Sequence, residues 1–124
     1  MDKTKYMKSR FLVFVVVFSV QCGLAQNIDA KELEDYQNKV MFEKLDLTEN
    51  QISLVKEHNS KYSKKQAELM NREGSMFGKI GEVRRMKKAR NEELEKILSA
   101  DQFEVFEDDI EPMISKHMRK KMTE

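Results

Sequence analysis

Beyond residue 26 the apolar positions recur at steps of three and four, the period of an α-helix. Leu33, Tyr36, Val40, Met41 and Phe42 mark one helix over residues 30 to 44, which ends in the linker Leu45-Asp46-Leu47. From Ile52 a longer stripe passes through Val55, Asn59, Tyr62, Gln66, Leu69, Glu73, Met76, Ile80, Val83, Lys87, Arg90, Leu94 and Ile97. Five of its fourteen members are polar or charged. So diluted a seam suits a helix with a partly solvent-facing groove better than a tight coiled coil. After Ser99 the spacing continues through Phe103, Phe106 and Ile110, then Met113 or Ile114, then His117 or Met118. No strand alternation appears, so the fold class is predicted to be all-α. The expected architecture is a small bundle of three to four helices with a long, bent or hairpin central segment.

The polar residues between the stripes supply the helix starts. Leu47-Thr48-Glu49-Asn50-Gln51 precedes Ile52, and Leu98-Ser99-Ala100-Asp101-Gln102 precedes Phe103. In each, the Thr48 or Ser99 hydroxyl can accept a first-turn N–H, and Gln51 or Gln102 can reach back to the cap's own N–H. Leu47 over Ile52 and Leu98 over Phe103 can close a hydrophobic staple that sets the angle at which the chain enters the helix. A weaker copy stands at Ile28-Asp29-Ala30-Lys31-Glu32-Leu33. Gly74, Gly78 and Gly81 each disfavour a helix interior by about 1 kcal/mol. They predict a turn near residues 74 to 78, with Ser75 capping the helix after it. The unbroken register across them argues for the alternative, one helix over 49 to 97 about 73 Å long. Pro112 predicts a kink or a fresh start in the last helix.

Leu-Thr/Ser-x-x-Gln occurring twice, behind Met41-Phe42-Glu43-Lys44-Leu45-Asp46 and behind Glu95-Lys96-Ile97, resembles the LTxxQ (Spy/CpxP-like) family of small helical bacterial envelope proteins. The likeness covers roughly residues 40 to 110, with Ser99 in place of threonine. It implies an exported, ATP-independent chaperone (holdase) of the periplasm. It also implies an alternative, an envelope-stress or metal-responsive regulatory partner of a signalling receptor.

The first 25 residues fit export. Lys3, Lys5, Lys8 and Arg10 precede an apolar run from Phe11 to Val20, too short for the roughly 20 residues of a membrane span. Gly23-Leu24-Ala25 offers small residues for cleavage before Gln26, which leaves residues 26–124 as the helical domain and no membrane span in the mature protein. Cys22, the single cysteine, provides a rival reading as a lipoprotein anchor, but Gln21 before it is a poor fit.

Charge is unevenly spread. Residues 26 to 51 carry 3 basic and 7 acidic side chains, residues 52 to 90 carry 11 and 4, and residues 91 to 124 carry 5 and 10. A basic middle between acidic flanks is either a solvated face neutralised by its neighbours or a surface for unfolded chains and anionic envelope components. Nucleic acid is not expected as a partner outside the cytoplasm. Within this block Met70, Met76, Phe77, Ile80, Val83 and Met86 lie among Lys79, Arg84, Arg85, Lys87 and Lys88. Flexible, polarizable methionine suits irregular apolar partners, so these residues are the candidates for gripping clients. They are equally suited to packing the hairpin. With 36% charged residues and a mean hydropathy of −0.70 the core is modest, and a bundle this small leaves apolar stripes that a homodimer would cover.

Catalysis finds no nucleophile beside a base and no phosphate-binding loop, so the chain is not expected to be an enzyme, and no cofactor is expected. No metal is expected, and His58, His117 and Met118 are the candidates if one binds. No His-x-x-x-His or Met-x-x-Met-x-x-Met run supports them.

Overall fold

A computed structural model describes residues 27–123. The predicted signal segment, Cys22 and the cleavage point lie outside the described residues. Four helices and, among the described residues, no strand make up the fold. They are α1 (Ala30–Lys44), α2 (Glu49–Asn71), α3 (Met76–Ile97) and α4. Helix α4 is α-helical over Ala100–Val105 and Glu111–Thr123, with a π-helical turn over Phe106–Ile110 between them. None of these helices is long and apolar enough to cross a membrane.

The predicted caps are present. Asp29 accepts from the Lys31 N–H at 3.0 Å, and Ser75 accepts from the Gly78 N–H at 3.3 Å. Thr48 with Gln51, and Ser99 with Gln102, each form a complete capping box. The central segment is a hairpin. Gly74 takes φ +115°, which side chains strain to adopt and glycine does not, and α3 starts two residues later. Gly78 and Gly81 stay inside α3, so the turn needs only Gly74.

Lys79 departs from the sequence expectation. Its ammonium donates back to the carbonyls of Met70 and Arg72, at the end of α2, where carbonyls have no helical partner. With 7% of its surface exposed, it fastens the turn and is not displayed with the other cations of the block.

Helices α1 and α2 run antiparallel, and the side chain of Asn71 pairs with both the N–H and the carbonyl of Ile28. Helix α3 returns along α2, and α4 lies along α1 with its C-terminus near the start of α1. Two apolar clusters result. One, at the end holding the 45–48 and 98–99 joints, contains Val40, Met41, Leu45, Val55, Leu94, Leu98, Phe106, Ile110 and Ile114. The other, at the turn end, contains Ile28, Leu33, Ala67 and Met118, with Met70 and Met122 half-buried against it. Each large apolar side chain so covered stabilises the fold by roughly 1.5–3 kcal/mol.

The diluted seam is more buried than its polarity suggests. Asn59 donates to Asn38 at 2.8 Å, Gln37 donates to Gln66 at 3.1 Å, and the Ser63 hydroxyl donates to Gln37 at 3.2 Å. Asn59 and Gln66 of the seam join a hydrogen-bonded layer between α1 and α2, because a buried polar group is tolerated when another polar group meets it. Pro112 does not end its helix, which resumes α-helical form at Glu111 after a π-helical turn. It has no N–H to give to the carbonyl four residues back, and the Glu111 N–H bonds to Phe106, five back. The widened turn also helps keep Phe106, Ile110, Ile114 and Met118 on one face despite steps of four, which drift forward on a regular α-helix.

Candidate functional site

Two places in the bundle gather the residues that the sequence singled out. The first is the pair of joints. Gln51 Nε2 donates to the Ile97 carbonyl at 3.0 Å and to Gln102 Oε1 at 2.7 Å. Gln102 Nε2 donates to the Asp46 carbonyl at 3.0 Å and to Gln51 Oε1 at 3.2 Å. Each glutamine therefore caps its own helix and holds the backbone that leads into the other. Leu98 is buried, Leu47 and Phe103 pack against the same cluster, and Ile52 is half-buried. The motif is a structural clasp, and its amides are occupied with one another.

The second place is the first half of α3, where the sequence placed one continuous client surface. The structure divides those residues among three directions. Met76, Val83 and Lys87 face a groove between α3 and α4 that Met70, Met118 and Met122 also line, with a volume of about 170 Å³. Arg85 and Met86 lie on the opposite edge, in a cleft of about 390 Å³ shared with Tyr62, Lys65 and Arg72 of the α2 side. Phe77, Arg84 and Lys88 share the outward stripe, and Ile80 stands between it and the groove.

The apolar part of this wall is open. Phe77 is 84% exposed, Met76 43% and Ile80 37%. The i+4 neighbour of Phe77 is Gly81, so no side chain of its own helix covers the ring from that side. Charge around it is uneven. Lys87 and Arg90 are taken up by Glu111 at 3.1 and 2.7 Å, and Arg72 by Glu82 at 3.0 Å. Arg84, Arg85 and Lys88 are exposed, and among the described residues none of them forms an ion pair. The basic block is thus partly neutralised inside the bundle and partly displayed. The groove's far wall, Ile114 and Met122 beside Met118, was not among the client candidates. The i, i+4 pair Met118 and Met122 was its signal in the sequence, since such a pair shares one helix face.

The two histidines stand apart. His58 is buried between α2 and α3, with Nδ1 2.9 Å from Glu93 Oε1 and its ring 4.6 Å from that of Tyr62. His117 lies on α4, stacked on Tyr36 of α1 at 3.9 Å and 4.0 Å from Glu32. Met118 is buried in the turn-end cluster. Among the described residues no three His, Cys, Asp or Glu side chains are placed to hold a metal ion.

The burial of His58 predicts a bundle sensitive to acid. Burial holds its imidazole below the ordinary value of 6.5, against the opposing pull of Glu93. A folded pKa below the unfolded one means that stability is complete above about pH 6.5 and is lost as pH falls through the folded value. Glu93 is also held below its usual 4.5, chiefly by the hydrogen bond from Lys61. Burial raises Glu111, but Arg90 and Lys87 outweigh it and leave its carboxyl low. Both carboxylates give up stability only below about pH 4.5. Thermal melts should therefore show a decline that begins near pH 6.5, well before the carboxylates protonate, and His58→Gln should flatten that upper part. A melting temperature constant from pH 7.5 to 5 in the unsubstituted protein would refute this.

Comparison of the chain with protein-family models, with curated proteins and with solved structures finds no match in any of the three.

Proposed function

We propose that this chain is an exported, ATP-independent holdase that grips unfolded polypeptides on the first half of α3. One observation carries the reading: Met76, Phe77 and Ile80 are exposed beside Arg84, Arg85 and Lys88, three cations without ion-pair partners among the described residues. An exposed apolar patch bordered by charge is the surface expected of a protein that binds other chains. Its cations draw in clients of opposite charge, and the mobile thioether and aromatic groups hold them without demanding a fixed shape. The export signal expected from residues 1–25 and the resemblance of both capped joints to the Leu-Thr-x-x-Gln pattern support the same reading.

Light scattering from α-lactalbumin, an acidic client, under reducing conditions tests it, with the chain lacking residues 1–25 in several-fold excess. Aggregation should be suppressed, and Phe77→Ser with Ile80→Ser should weaken that suppression about tenfold, a change of about 1.4 kcal/mol. Phe77 is almost fully exposed and Ile80 partly so, so melting should fall only slightly, and Phe77→Ser alone should leave it unchanged. Replacing Arg84, Arg85 and Lys88 by glutamine should slow capture at low salt and matter little at high salt. Failure to suppress aggregation at either salt, or full suppression by the Phe77/Ile80 variant, defeats the proposal.

A further inference from the structure

Seven methionines fall within the described residues, and four of them, Met70, Met76, Met118 and Met122, meet at the turn end of the bundle. They come from three helices. Met70 is in the last turn of α2, Met76 begins α3, and Met118 and Met122 share a face of α4. Met70, Met76 and Met122 also line a cavity of about 220 Å³ whose other walls are Gly74, Ser75 and Lys79. Among the described residues that line it there is no carboxylate, imidazole or thiol.

We propose that Met70, Met76 and Met122, with Met118 in the adjoining groove, form a binding site for a soft monovalent cation, the cuprous or silver ion. Thioethers are neutral and polarizable, and they select such ions over zinc, magnesium or calcium, which take nitrogen, thiolate or oxygen ligands. Lys79 adds to the selection. Its ammonium is held toward the Met70 and Arg72 carbonyls, and the charge that remains repels a dication twice as strongly as a monocation at the same distance. Once coordinated, the ion would tie the α2–α3 turn to the end of α4. The spacing along the chain conceals this arrangement, because only the hairpin turn brings Met70 and Met76 beside the last helix. The inference does not rest on the holdase reading.

The test uses the full chain carrying Cys22→Ser, so that no thiol competes. It is titrated anaerobically with cuprous ion buffered by bicinchoninate, and separately with silver nitrate while the methionine methyl resonances are followed. A single equivalent of metal should leave the chelator, and the methyl signals of the groove methionines should shift. Met76→Leu and Met122→Leu preserve the apolar volume, and each should weaken binding by about tenfold or more, with circular dichroism unchanged. Met86→Leu and Met113→Leu, outside the cavity, should bind as the parent does. The proposal is overturned if no metal leaves the chelator, if a Met70→Leu/Met76→Leu/Met122→Leu variant binds undiminished, or if binding is lost instead with His58→Gln or His117→Gln.

Discussion

Replacing Glu111 by glutamine is expected to lower the unfolding free energy by about 3 kcal/mol, a large share of a small bundle's stability. Glu111 opens the second α-helical part of α4, just after the π-turn, and its carboxylate lies 2.7 Å from Arg90 and 3.1 Å from Lys87. The Arg90 side chain is only 10% exposed and lies over the Phe106 ring at 5.2 Å. Without the carboxylate, that guanidinium stays mostly out of water with the neighbouring Asn91 amide and the ring as its remaining partners. A broken pair costs more than the pair was worth, since the remaining charge cannot recover its hydration. Urea denaturation followed by circular dichroism measures the effect. Arg90→Met combined with Glu111→Leu should recover most of the loss, because two apolar groups leave no charge stranded. If Glu111→Gln unfolds at the parental urea concentration, the pair does not hold α3 to α4.

Gln51→Ala and Gln102→Ala should each cost about 2 kcal/mol, against about 1 kcal/mol for Thr48→Ala or Ser99→Ala. A cap hydroxyl satisfies a single N–H of its own helix. Each glutamine accepts from the N–H of its cap residue, at 3.0 Å from Thr48 and 2.9 Å from Ser99. Each also donates to the opposite joint, so its loss leaves a carbonyl and the other amide with fewer partners. The double variant should lose less than the two single losses combined, by about 0.5 kcal/mol or more, because the first substitution already breaks the bonds between the amides. Strict additivity in chemical denaturation would mean that the glutamines act only as local caps.

The polar and apolar order of the chain determined the helices and their starts. Thr48, Ser99, Ser75 and Asp29 cap where their spacing from the apolar stripes placed them, because capping uses groups within one turn and local sequence contains them all. The turn at Gly74 was one of two readings the sequence left open, since the glycines favoured a break and the unbroken register a single helix, and φ +115° at Gly74 decides for the hairpin. What lay beyond the sequence was which partner each side chain meets across the bundle. Lys79 reads as one more cation of a basic run, and only the return of α3 along α2 puts its ammonium on carbonyls that lack partners. Gln51 and Gln102 read as two separate caps, and only the packing of the joints makes them one clasp. The client candidates read as one surface because they are neighbours in sequence, yet a helix turns by 100° per residue and α4 covers one side of it. Met70, Met76 and Met122 are spread over some fifty residues. Their meeting depends on the turn and on the direction of α4, which are set by the covering of apolar stripes and not by the spacing of methionines.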